Sequence, residues 1–419
     1  MKKIKKISSL LLAVLLLSSL LSFLPSCAQG EEVVLNVYNW GEYISDGSDE
    51  SLAVNAEFEN YFNENLSKKY GFNVKVNYTT YSSNEELYAK LKNTNTSYDV
   101  IIPSDYLLAR LIRDGMLQKL DFNNIPNFKY IDKAYIEQNY YDPTNEYSVP
   151  YTMGKVGIIY NTDLIDEEID SLSALWDPKY EELGILQFNN SRDAFALAQF
   201  LAGDSLNISV KETGGKDVWD RAYKKLLEQK PIVQKYVMDE VFNKMETGNA
   251  AIAAYYAGDY FTMYASNEAL AFAYPAEGSN SFIDAMCIPT CSKNKELAEL
   301  YINFMLEPEI ARANAEYICY ASPHTEVFNN EEYIEYMNEE IHPNAIDILY
   351  NDFEKDFVGE GFTALDDETQ EYLNELWDSL KMEGTTPIYL YVTSGAIVAV
   401  IIAAIIFFVI RKKRREKTY

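Results

Sequence analysis

The chain has 419 residues, with 64 Asp and Glu against 36 Lys and Arg and a formal net charge of −28. That length exceeds what one hydrophobic core supports, so two folded units are expected, and the acidity makes nucleic acid a poor partner while attracting small cations. With His324 and His342 as its two histidines and no HExxH, GxSxG or glycine-rich phosphate loop, the chain offers few candidates for acid–base or phosphoryl chemistry, and no catalytic residue, metal or cofactor is expected.

Both ends carry targeting patterns. Lys2, Lys3, Lys5 and Lys6 precede an apolar run over 10–24 and then Leu24-Pro25-Ser26-Cys27. A basic segment, an apolar segment and small residues before a cleavage point describe a secretory signal, here 1–26. Leu-Pro-Ser-Cys resembles a bacterial lipobox with an unusual Pro25, which implies lipidation of Cys27. Residues 388–410 contain no charged residue, enough to span a bilayer, and the basic cluster that follows in 411–419 is expected to stay in the cytoplasm. The four N-terminal lysines carry +4 and the tail a net +5, so the rest of the chain carries −37. Cys287, Cys291 and Cys319 are odd in number and lack metal-ligand spacing.

Between these ends, 33–38 alternates as a strand rich in β-branched and aromatic residues, followed by Asn39-Trp40-Gly41-Glu42-Tyr43. Ser48-Asp49 is read as the N-cap of a helix running to Leu66, Phe72 to Tyr78 as a strand, and Ser83-Asn84-Glu85-Glu86 as a capping box opening a helix. A short strand over 98–103 leads to Ser104 and a helix ending at Gly115. Strand and helix alternating three times predict a parallel sheet covered on both faces. After an irregular stretch over 124–147, the strand 156–160 opens a second set. It comprises strands at 185–188, 250–255 and 270–274 and helices at 192–202, 216–229 and 239–247. A strand from Asp284, helices over 295–306 and 311–317, and an acidic helical stretch over 325–383 complete the body. Two α/β lobes suggest a cleft between them, and ligands of open α/β sheets bind beyond the carboxyl ends of strands.

Several stretches occur in a telling order: Asn39-Trp40-x-Glu42-Tyr43, Ser83-Asn84-Glu85 with Tyr88-Ala89-Lys90-Leu91, Tyr98-Asp99-Val100 with Pro103-Ser104-x-Tyr106, Tyr147-Ser148-Val149-Pro150-Tyr151, Gly258-Asp259, Asp284 with Ile288-Pro289, and Asn303-Phe304. The series, covering residues 33–320, resembles the spermidine/putrescine-binding proteins of polyamine ABC importers. The resemblance implies an α/β, two-lobed periplasmic-binding-protein (type II) fold that closes on a linear polycation. It would then deliver that cation to the permease and ATPase of the importer. On this reading 33–147 is lobe 1, 148–282 lobe 2, 283–320 a return to lobe 1, and 321–383 helices packing mainly on lobe 2. The mature protein is expected as a monomer on the outer face of the membrane, held by Cys27 and the C-terminal helix.

A polyamine site needs carboxylates for ammonium groups and aromatic walls that shelter methylenes and attract the cation, each ring by ~0.5–2 kcal/mol. By the resemblance, Trp40, Tyr43, Ser104 and Tyr106 line the cleft from lobe 1, and Asp193, Tyr256, Asp259 and Asp284 bind from the other elements. Asn190 stands where spermidine-binding relatives carry an acid, which favours a shorter diamine. Glu42 is a further candidate, and Tyr320 and Ser322 can close one end. Helix capping is the competing role for Ser104 and Asp259, and packing for Tyr320. A binder of sugar, thiamine or an iron complex, and a surface hydrolase built on paired carboxylates, are the alternatives.

Overall fold

The computed structural model describes residues 31–93, 97–136, 140–350 and 359–383. The expected signal segment with Cys27, the 388–410 span and the basic tail lie outside the described residues. Among the described residues no helix is long and apolar enough to cross a membrane.

The first lobe is organised by β1 (Glu31–Trp40), which pairs in parallel with β2 (Phe72–Tyr81) on one side and β3 (Val100–Ile101) on the other. Helix α1 (Val54–Asn65) buries Val54, Phe58 and Phe62, one turn apart, against this sheet. Ser48 and Asp49 do not cap it. They form a 3₁₀ turn in which Ser48 donates to the Asp46 carboxylate, and the Val54 amide is taken instead by the Ser45 carbonyl. The capping box is real at its first half, because the Ser83 hydroxyl accepts the Glu86 amide at 3.1 Å at the start of α2 (Asn84–Leu91). Helix α3 (Asp105–Arg113) follows β3 and buries Leu107, Leu108 and Leu111.

Two long strands join this lobe to the next. β4 (Ser148–Asn161) is one strand of 14 residues, although its sequence breaks the apolar pattern at Pro150 and Gly154. Its first half pairs antiparallel with β9 (Ser279–Cys287), and its second half, Val156–Tyr160, pairs with β7 (Ile252–Tyr256). β7 continues in parallel to β5 (Ile185–Phe188), which pairs with β6 (Val233–Val237). The whole sheet runs β2-β1-β3-β9-β4-β7-β5-β6, with β8 (Leu270–Ala273) and β10 (Gly359–Gly361) attached beside β4 and β9. β6 escapes sequence reading because only Val237 of its five residues is buried, so no apolar alternation marks it.

The second lobe packs around α4 (Ser191–Ala202), which is buried along most of its length, with α5 (Gly215–Gln229), α6 (Glu240–Glu246) and α7 (Ala257–Ser266) around it. Helices α8 (Lys295–Met305) and α9 (Pro308–Ile318) return to the first core, where Tyr301, Ile302 and Ile318 are buried. Helix α10 (Asp367–Met382) sends Leu373 and Leu380 into the second. The strand expected to start at Asp284 starts five residues earlier, so Asp284 lies inside β9 rather than before it.

Where β4 meets β8, a Cβ on Gly157 would stand 2.1 Å from the Phe272 ring. Gly157→Ala is therefore expected to lower unfolding stability by about 1–3 kcal/mol through overpacking, read as a lower urea midpoint; an unchanged midpoint would show that the ring can move away at no cost.

Candidate functional site

The ends of β1 and β3, the body of β9 and the starts of α2, α4 and α7 converge on a cavity of about 70 Å³ between the lobes. Trp40, Tyr43, Ser104, Tyr106, Asn190, Asp193, Tyr256, Asp259 and Asp284 all line it, so nine of the residues singled out from sequence are brought together. Glu42 is not among them. A left-handed turn at Glu42, φ 49°, sends its side chain to solvent while the next residue, Tyr43, turns inward and is buried.

Each lining group is held by its local structure. Trp40 ends β1 and its indole donates to the Ile102 carbonyl at 3.0 Å, which fixes the ring against Tyr81. The Tyr43 phenol donates to Asp284 Oδ2 at 2.8 Å and also contacts the Thr152 hydroxyl. Ser104 occupies the N-cap position of α3 but makes no side-chain cap; it bridges to Asp284 across the sheet and its hydroxyl draws down the Asp284 pKa. Asp259 lies in the first turn of α7 with Tyr256 at the cap, so it is not the N-cap residue. Its partner is the Tyr320 phenol, and Tyr320 packs edge-on against Tyr43 at 4.7 Å. A Cβ at Gly258 would meet the Tyr320 ring at 2.3 Å, which explains the glycine beside the acid.

Asn190 caps α4, with its carbonyl accepting the Asp193 amide at 2.8 Å while its Nδ2 donates to Asp193 Oδ2 at 2.7 Å. Both polar atoms of Asn190 thus orient Asp193. Tyr256 adds a bond to Oδ2 at 2.9 Å and Asn280 one to Oδ1 at 3.2 Å.

Other lining residues were missed as site residues in the sequence. Asn280 and Phe282 alternate with the expected Asp284 along β9 and so share one face of it. Glu85, Asp239 and Phe362 also line the cavity. Glu85 stood inside the capping-box pattern, whose helix-start explanation sufficed, and Phe362 comes from a distant segment that only the fold brings close.

The cavity presents five carboxyl groups, Glu85, Asp193, Asp239, Asp259 and Asp284, and eight aromatic rings, but no Lys, Arg or His among the described residues. Burial raises every one of these acids, because removal from water disfavours the charged form. Asp259 is pushed up to about 8 and Asp284 to about 7, the first also by the nearby Asp239 and Glu42 and the second also by Asp193. Glu85, Asp193 and Asp239 shift in the same direction for the same leading reason. Asp105, beside Asp284, rises to about 8. The site is a desolvated cluster of acids that a cation inside it would convert to carboxylates.

For the empty protein the consequence has a definite sign. These acids bind protons more tightly folded than unfolded, so stability is fully present below their unfolded values and is lost as pH rises toward about 8. The melting temperature is expected to fall from about pH 5 to about pH 8, and Asp284→Asn should flatten that slope. A melting temperature that rises across this window would contradict the burial of un-neutralised acids.

Comparison with known proteins identifies the family. The profile "Bacterial extracellular solute-binding protein" matches residues 95–338, and "Hypothetical lipoprotein (MG045 family)" matches 1–142. A spermidine/putrescine-binding periplasmic protein of Salmonella typhimurium is 34% identical over 291 residues, 69% of this chain and 77% of that one. A putrescine-binding periplasmic protein of Pseudomonas aeruginosa is 30% identical over 294 residues, 66% of this chain and 74% of its own. Among solved structures, a putative spermidine/putrescine ABC transporter protein of Listeria monocytogenes superposes with a TM-score of 0.70 at 32% identity, covering 83% of this chain and 99% of its own. The chain belongs to the bacterial extracellular solute-binding proteins.

Proposed function

We propose that this protein captures a polyamine, putrescine or spermidine, in the interlobe cavity and hands it to the permease of an ABC importer, whose ATPase drives uptake. The observation that carries this reading is the cavity lining of five carboxyl groups and eight aromatic rings, with no basic residue among the described residues. A linear polycation supplies the charge those acids lack and methylenes that the rings cover. A neutral sugar would leave the acids unpaired. The names of the relatives in Salmonella, Pseudomonas and Listeria support the same ligand class.

Binding residues on this reading are Trp40, Tyr43, Tyr106 and Tyr256 as walls, Asp193, Asp259 and Asp284 as counter-charges, Ser104 as a hydroxyl near Asp284, and Asn190 as the group that orients Asp193. The protein acts as a monomer without catalysis. Its body, two lobes joined by β4 and β9, sits outside the cytoplasmic membrane. The Leu24-Pro25-Ser26-Cys27 pattern and the lipoprotein profile over 1–142 support a lipid anchor at Cys27. The uncharged run 388–410 with its basic flank supports a membrane helix at the other end.

Calorimetric titration with putrescine, spermidine and maltose tests the reading: heat is expected with a polyamine and none with maltose. Asp259→Ala is expected to weaken polyamine binding at least roughly tenfold, since it leaves a buried ammonium without its partner, while the empty protein melts no earlier than the parent. Full affinity in that variant would remove Asp259 from the site.

A further inference from the structure

One corner of the cavity holds two carboxylates that come from opposite lobes. Glu85 stands in the first turn of α2 on the first lobe, and Asp193 in the first turn of α4 on the second. They feel each other, since the charge of Asp193 raises the Glu85 pKa. The Tyr106 phenol donates to Glu85 Oε1 at 3.2 Å, which holds the carboxylate at the cavity wall. Asn190, Tyr256 and Asn280 hold Asp193 from the other side.

One buried cation, Arg192, attracts both acids through its charge but is ion-paired with neither among the described residues. Arg192 is buried, stacks over Phe362 at 4.4 Å and Tyr106 at 5.2 Å, and its Nη2 reaches the Thr363 carbonyl at 3.3 Å. Among the described residues it makes no ion pair with Glu85 or Asp193, and its Nε and Nη1 have no hydrogen-bond partner. A second, independent sign of a missing ligand is Asn280. Its Nδ2 is committed to Asp193, yet its Oδ1, in a residue 1% exposed, has no partner among the described residues. With one arginine against two carboxylates, the corner lacks one positive charge, and Asn280 Oδ1 lacks a donor within reach.

We infer that Glu85 is a ligand-binding and specificity-determining residue, and that a terminal ammonium is bridged between Glu85 on one lobe and Asp193 on the other. Where Asn190 supplies no charge, the second carboxylate of this end comes from across the cleft. The ammonium's three N–H donors suit Glu85, Asp193 and the free Asn280 Oδ1. Because the two acids repel in the empty site and share a cation in the filled one, the bridge favours the closed arrangement only when an amine is present. Asn190 is then a positioning residue, acting through Asp193.

This inference rests on the polyamine reading, and titration of the purified full chain separates the two. The parent protein binding putrescine or spermidine, with Glu85→Gln binding at least about tenfold more weakly and Glu85→Asp recovering part of the loss, is the expected result. The unliganded melting temperature of Glu85→Gln should be no lower than the parent's, whereas a purely helix-starting role would lower it and leave affinity unchanged. A parent that binds and a Glu85→Gln variant that binds equally well overturns the bridge alone; a parent giving no heat with either amine overturns the polyamine reading and the bridge with it. Should Glu85→Gln not fold, Glu85→Asp binding as tightly as the parent overturns the bridge, and weaker binding at unchanged melting temperature upholds it.

Discussion

The cavity is governed by the price of keeping carboxyl groups out of water without a cation. Isolated ionised acids in a low-dielectric site are strongly disfavoured and take up protons instead. Here burial is the leading cause of the upward shift at each of the lining acids. Surface acids could explain the overall charge through solubility alone. Five acids around one cavity, framed by aromatic rings and, among the described residues, without a basic residue in the lining, need a cationic occupant to explain them. That is why the electrostatics say more about the ligand than the net charge of the chain does.

The fold makes this arrangement possible by dividing the acids between elements that belong to different cores. Glu85 is set by a helix start on the first lobe, Asp193 and Asp259 by helix starts on the second, and Asp284 by β9, which runs alongside β4 between them. Helix N-termini tolerate acids well, since the macrodipole and free amides favour negative charge. Helix starts and the body of β9 therefore deliver the charge, and tyrosines anchor it: Tyr43 on Asp284, Tyr256 on Asp193, Tyr320 on Asp259 and Tyr106 on Glu85. In each pair the phenol donates, keeping the carboxylate oriented while an aromatic face borders the cavity.

Much of this was legible in the sequence. The alternation of strands and helices yielded the α/β class, and the ordered motifs pointed to nine residues that line one cavity. What was not legible has physical reasons. β6 buries only Val237 and so lacks a periodic signal. β4 continues through Pro150 and Gly154 because a bulge between Pro150 and Thr152 absorbs the proline, and the Phe282 ring fills the space left by the glycine. Ser48-Asp49 imitates a cap, but the local Asp46 carboxylate wins the Ser48 amide. Glu42 was a plausible site acid until a left-handed backbone angle turned it outward, which sequence does not reveal for a non-glycine residue. Glu85 had a sufficient explanation as part of a helix start, and only the tertiary fold brings it opposite Asp193.

A cation that enters the cavity displaces protons from buried acids, and proton release on binding measures that displacement most directly. Titrating the purified protein with putrescine at about pH 7 in two buffers of different ionisation enthalpy gives the number of protons exchanged. With Asp259 raised to about 8 and Asp284 to about 7, a net release of about one proton per ligand is predicted. Binding heats that do not depend on the buffer, or a net uptake of protons, would contradict it.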